Sequence, residues 1–124
     1  MTTPYLTIDE ATQAAFARYN MMIDAKGIAP ENFSDEKFSA LTKNQQLAHC
    51  RWMAQFQMHP AQAHHSIDKK SRWLGFIQGV LIVHGLTDID EERNITRPWF
   101  TGKPNDIRRE TKDSRSVPIY PSGG

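Results

Sequence analysis

The sequence predicts an all-α fold, a small helical bundle of about four helices with an extended C-terminal tail, and three observations lead there. Apolar residues recur at helical spacing in successive segments, two of them opened by a threonine with Glu or Gln three residues on. No segment alternates apolar and polar residues, and no hairpin dipeptide separates apolar runs. Between Trp73 and Val83, eleven residues contain one polar side chain, Gln78. A helix apolar on nearly every side needs enclosure, at the centre of a bundle or at the seam of a homo-oligomer.

Thr7 and Glu10 have the capping-box spacing, and Ile8, Ala15, Phe16, Tyr19, Met22 and Ile23 follow at helical intervals up to Gly27. This predicts a first helix from Ile8 to Lys26. A connection from Ile28 to Phe33 contains Pro30, and Ser34 is placed to cap a short helix through Leu41. Thr42 and Gln45 repeat the capping box and open a second long helix carrying Leu47, Cys50, Trp52, Met53 and Phe56. It should end by His59, because the residue before Pro60 is pushed out of the helical region.

Ala61 to Ser66 reads as a loop, with Ser66 or Asp68 capping a third helix that runs to His84 and stops at Gly85. Thr87, with Asp90 three residues on, predicts a fourth helix to about Thr96, with Pro98 opposing continuation. Beyond Gly102, three prolines, two final glycines and many charges offer little to a core. The division is therefore a helical domain over 1–101 and a charged tail over 102–124. Such a tail has too little apolar surface to order itself alone, and would lie against another subunit or partner if ordered.

At 124 residues the chain suffices for one modest core. The formal charge of +1 gives no whole-protein argument for a nucleic-acid or membrane partner. A single cysteine, Cys50, precludes an intrachain disulfide and fits a reducing compartment. The first residues, Met1-Thr2-Thr3-Pro4-Tyr5, lack the charged and apolar regions of a signal peptide, and residues 73–83 are too few to span a bilayer. The expectation is a cytoplasmic protein without a membrane partner.

Ser71, Gly75 and Gly79 fall four apart and line one stripe of the third helix. Interior helical glycine costs about 1 kcal/mol relative to alanine, which close approach of another helix would offset. Trp73, Phe76, Ile77, Val80 and Leu81 form the bulky opposite side. A second helix of the same chain or a second subunit would satisfy the stripe equally well. Gln78 needs partners for its amide, from a neighbouring helix or from a ligand.

Five histidines invite a metal, but paired Cys-x-x-Cys motifs and His-Glu-x-x-His are absent; solvated loop residues are the simpler reading of His59, His64 and His65, and no metal or other cofactor is expected. Cys50 follows His49 directly, yet adjacent helical residues point about 100° apart and make no nucleophile–base pair by themselves. Asp88, Asp90, Glu91 and Glu92 suit a helix N-terminus for dipole reasons alone. No catalytic residues emerge, and the chain reads as a non-enzyme.

Two basic groups remain. Lys69, Lys70 and Arg72 occupy the first turns of the third helix, where positive charge opposes the dipole. Arg93 and Arg97, four apart, precede Trp99 and Phe100 and with them would form a patch for an anion or a base. Solvated helix ends and aromatics closing the core account for the same residues. The tail's net charge of +2 is small for a phosphate-tracking arm.

The run Lys70-Ser71-Arg72-Trp73-Leu74-Gly75-Phe76-Ile77-Gln78-Gly79-Val80-Leu81, then Gly85-Leu86-Thr87-Asp88-Ile89-Asp90-Glu91-Glu92 and Arg97, resembles small tailed-bacteriophage accessory proteins of unassigned function. In these, an Arg-Trp-Leu-Gly-Phe-x-Gln-Gly helix precedes a glycine turn and a short acidic helix. The resemblance covers about a quarter of the chain and implies a viral setting, in the host cytoplasm, not a mechanism. By analogy, small proteins of that setting bind and block a host enzyme, a defence factor or its nucleotide messenger.

The leading expectation is a homo-oligomeric binding protein that sequesters or blocks a host factor or a nucleotide-like ligand. Lys69, Arg72, Gln78, Arg93, Arg97, Trp99 and Phe100 are its candidate binding residues, and Ser71, Trp73, Gly75 and Gly79 its packing seam. The alternatives are a nucleic-acid-binding accessory protein using the basic tail and a structural virion or scaffold component.

Overall fold

The computed structural model describes the backbone of residues 7–101 and side chains as far as Arg97. The tail over 102–124, with any nucleic-acid or strap role, and the Trp99 and Phe100 side chains lie outside the described residues. Among the described residues four α-helices succeed one another: α1 (Ile8–Asp24), α2 (Lys43–Met58), α3 (Ile67–Val83) and α4 (Ile89–Thr101). Tight turns of 3-10 helix cover Phe38–Ala40 and Pro60–Gln62, and no strand occurs among the described residues. The fold is an all-α bundle. No helix among these residues is long and apolar enough to cross a membrane.

Both expected capping boxes form. Glu10 N–H donates to Thr7 Oγ1 (3.0 Å) and Thr7 N–H to Glu10 Oε1 (2.9 Å). At α2 the corresponding bonds join Thr42 and Gln45 at 3.1 and 2.9 Å. Ser66 rather than Asp68 caps α3, accepting from Lys69 N–H. Gly27 and Gly85 adopt positive φ (75° and 78°) just past α1 and α3, where a side chain would be strained.

Three elements differ from expectation. Ser34 opens no helix: Asn32 Oδ1 accepts from both its N–H and its hydroxyl, closing a local turn that competes with helix. The α4 cap is Asp88, which accepts from Glu91 N–H at 2.8 Å, because the Thr87 hydroxyl turns inward. Helix α4 also runs through Pro98 to Thr101. Proline removes one N–H and crowds the carbonyl four residues back, but leaves the succeeding residues free to keep their own bonds.

Gln13 at the start of α1 reaches the carbonyl of Gln57 at the end of α2 (3.4 Å), and Arg51 binds Asn20 (2.8 Å), so α1 and α2 are antiparallel. Gln78 meets Tyr19 and His84 meets Gln46, which runs α3 alongside α1 in the same direction. Phe16, Tyr19 and Ile23 of α1, Leu47, Cys50, Met53 and Ala54 of α2, and Ile77 and Leu81 of α3 form the core. Fully burying a large apolar side chain contributes about 1.5–3 kcal/mol.

Of the two enclosures expected for α3, at a bundle centre or at an oligomer seam, the described residues do not supply the first. Of its apolar residues only Ile77 and Leu81 are buried, while Phe76 and Val83 remain 42% and 79% exposed. Four helices of this length close one compact core, and α1 and α2 supply most of it. One face of α3 is left over.

Glu92 fastens α4. Its carboxylate is 2% exposed and accepts from Arg18 Nη1 (2.8 and 2.7 Å), the Tyr19 hydroxyl (2.5 Å) and the Thr87 hydroxyl (2.6 Å). Gln78 Nε2 in turn donates to Tyr19 Oη at 3.1 Å, which is the neighbouring-helix partner, of the two alternatives, for its amide N–H. Burial alone would raise the Glu92 pKa, but the Thr87, Tyr19 and Arg18 hydrogen bonds with the Arg18 charge outweigh it and lower it. Burial and the adjacent carboxylate push Tyr19 well above its ordinary value, keeping its O–H a donor.

Replacing Glu92 by Ala strands Arg18, Tyr19 and Thr87. Urea unfolding followed by circular dichroism should show a loss of about 3–5 kcal/mol, the usual cost of breaking one side of a buried pair. Because the folded pKa is depressed, this stabilisation is complete above the unfolded value of about 4.3 and is lost as pH falls through the folded one. Wild type should therefore weaken on acidification below pH ~4.3 more steeply than Glu92→Ala.

Candidate functional site

On the side away from α4, the segment after α1 folds back over α2 and the exposed flank of α3. Hydrogen bonds to α2 hold it: Arg51 Nη1 donates to the Ile28 carbonyl (2.8 Å), Glu31 N–H to the Ala48 carbonyl (3.1 Å) and Phe33 N–H to His49 Nδ1 (3.0 Å). The Gln46 amide adds a bond to the Phe38 carbonyl (3.1 Å). Between this segment and the two helices lies a groove of about 310 Å³. Phe33, Glu36 and Phe38 form one wall, His49 and Met53 the floor, and Arg72, Trp73 and Phe76 the other wall.

Helical spacing explains the floor and its continuation. His49, Trp52 and Phe56 fall on one stripe of α2 and stack in sequence, with centroids 5.4 Å apart for His49–Trp52 and 5.2 Å for Trp52–Phe56. Trp73 of α3 lies nearly parallel to Phe56, at 5.6 Å and 19°. Phe38 meets Phe76 edge to face at 5.0 Å across the groove. These rings satisfy one another in the arrangements aromatic pairs favour, and the groove presents the remaining surface of Phe33, Phe38, Trp73 and Phe76.

His49 has a fixed tautomer. Its Nδ1 accepts from a backbone N–H, so the neutral ring carries its proton on Nε2. Burial lowers its pKa and keeps it neutral. Arg72 is exposed and lines the same groove, placing a planar cation beside Trp73 and opposite Glu36. The groove thus offers stacking faces, one guanidinium and one carboxylate.

The expected basic residues fare differently. Arg72 and Trp73 lie in the groove wall. Lys69 is half-buried and Lys70 is 4% exposed, so the first turns of α3 do not present three exposed cations. Arg93 and Arg97 lie on α4, each engaged in contacts of its own, and neither lines the groove. Ser71, Gly75 and Gly79 share an exposed stripe, and a Cβ on either glycine would meet nothing within 4 Å. The close approach expected at the glycines is therefore not made among the described residues.

The histidines serve local structure. His59 accepts from Ala61 N–H, His65 Nδ1 lies 3.1 Å from Gln57 Oε1, and His84 Nε2 binds Gln46 Oε1 at 2.6 Å. Partial burial and the charges of Lys69, His64 and Lys70 lower the His65 pKa. Among the described residues no three His, Cys, Asp or Glu side chains converge to hold a metal. Cys50 is fully buried, and burial pushes its thiol up to about 12, which leaves it unreactive at neutral pH.

Sequence reading missed Phe33, Glu36, Phe38, His49, Met53 and Phe76 as site residues. The α2 aromatic stripe was visible as a period, but the wall over it comes from a segment without periodicity. No protein family, curated protein or solved structure matches this chain.

The His49 latch is checked by NMR titration. Its ring should titrate below the ordinary value of about 6.5. With a depressed folded pKa, its contribution to stability is present above that value and fades as pH falls through the folded one. His49→Ala should raise amide exchange at Phe33 at least ~tenfold while leaving the α1 core amides protected.

Proposed function

We propose that this protein is a non-enzymatic binding module whose groove captures a flat aromatic group carrying negative charge, as in a nucleotide. The observation that carries this reading is the convergence of Phe38, Trp73 and Phe76 with the Arg72 guanidinium around one open cleft. Aromatic faces hold a base by stacking, and a guanidinium pairs with phosphate through two parallel hydrogen bonds. Glu36 on the opposite lip suits the N–H edge of a base. A volume of about 310 Å³ sits at the lower end of ligand sites, which fits one ring system with its phosphate rather than a dinucleotide.

The inert state of Cys50 and the structural engagement of Glu92 and Tyr19 support binding over catalysis. The resemblance to phage accessory proteins supplies a setting in which stoichiometric capture of a host signalling nucleotide, or blockade of a host factor that carries one, has a use. In that setting the chain acts by occupancy, at a dose equal to its target.

Tryptophan fluorescence tests this directly, because Trp73 lines the groove and Trp52 stacks beneath it. Titration with a panel of nucleoside mono- and diphosphates should quench emission with micromolar affinity for at least one base. Arg72→Ala should weaken that ligand at least ~tenfold, consistent with loss of one charge-assisted pair. Raising salt from 50 to 500 mM should weaken it further through screening. No response to any nucleotide at 1 mM would reject the ligand class.

A further inference from the structure

We propose that the uncovered face of α3 is the seat of a second copy of this chain, two α3 helices crossing antiparallel at Gly75 and Gly79. This inference stands independently of the groove's ligand. Arg72, Phe76, Gly79 and Val83 follow one another at intervals of four, three and four, the spacing of a helix–helix seam, with Ser71 and Gly75 beside them. All six are exposed, and Phe76 and Val83 leave apolar surface in water at 42% and 79%. Both glycines are helical, away from the positive-φ turns, and have open space where a Cβ would stand. Neither backbone conformation nor crowding within the described chain requires glycine there. What glycine does allow is approach of another backbone.

Charge complementarity identifies the occupant. The start of α3 carries Lys69 and exposed Arg72, which outnumber Asp68, while exposed Asp88 and Asp90 follow its end, with Glu91 beyond them shared with Arg18 at 4.0 Å. A two-fold interface joins a patch to itself, so a patch positive at one end and negative at the other is self-complementary only when the helices run antiparallel. In a crossing centred between the glycines, Lys69 and Arg72 of each copy approach the acidic turn of the other, and the two helix dipoles oppose favourably. A parallel pair would set like charges together. Since Arg72 and Phe76 also line the groove, the second copy would stand beside its open side.

Sedimentation equilibrium on the full chain tests the assignment. Wild type should show a concentration-dependent rise toward twice the 14.2 kDa chain mass. Gly75→Leu/Gly79→Leu should raise the dimer dissociation constant at least tenfold. Its melting temperature, measured at dilution where both proteins are monomeric, should equal or exceed that of wild type, since a monomer has room for both side chains. Asp90→Lys and Arg72→Glu should each weaken the dimer, and the double reversal should restore it. A wild type that stays at 14.2 kDa into the millimolar range overturns the proposal. So does a dimer indifferent to both leucines, or a leucine variant that melts lower as a monomer. Gly75 and Gly79 lie outside the groove lining, so ligand titration of the leucine variant keeps the two readings separable.

Discussion

A buried carboxylate holds this bundle in register. Glu92 draws Arg18 and Tyr19 from α1 and Thr87 from the turn before α4, and Gln78 extends the set to α3. Removing a charge from water is expensive, so each hydrogen bond here answers a demand set by burial. The outcome is a fixed geometry: α4 packs on α1, the turn at Gly85–Asp88 follows, and α3 is anchored along one side. The lowered Glu92 pKa and raised Tyr19 pKa are two signs of the same enclosure.

That anchoring decides what α3 leaves outside. With Ile77 and Leu81 turned into the core and Gln78 committed to Tyr19, the stripe through Arg72, Phe76, Gly79 and Val83 must face away. One edge of the stripe becomes a wall of the groove because Phe38 reaches across to Phe76. The opposite wall is held where it is by the ties of Ile28, Glu31, Phe33 and Phe38 to Arg51, Ala48, His49 and Gln46 of α2. The groove and the open helix face are thus consequences of how a four-helix chain spends its few buried positions.

Much of the fold is legible along the chain. The Thr7–Glu10 and Thr42–Gln45 boxes, the stops at Gly27 and Gly85, and the break before Pro60 are local chemistry, acting over three or four residues. Burial of Cys50 follows from its place on an apolar helical stripe. The site is less legible. Arg72 and Trp73 stood out by type, but Glu36 and His49 acquire meaning only from the fold-back of a segment without period. Glu92 read as one more acidic residue at a helix start. Its partners Arg18 and Tyr19 are 74 and 73 positions away, and no pattern near it marks them.

By itself, then, the sequence determined helix type, the starts and stops of α1, α2 and α3, and which residues of each helix share a face, because those depend on hydrogen bonds and periodicities spanning one or two turns; the cap and the end of α4 were not among them. Tertiary structure alone decided that α3 lies at the flank rather than the centre, that Gln78 serves Tyr19, and that Glu92 is a buried anchor. Those outcomes depend on competition among distant segments for a core too small to enclose every apolar face.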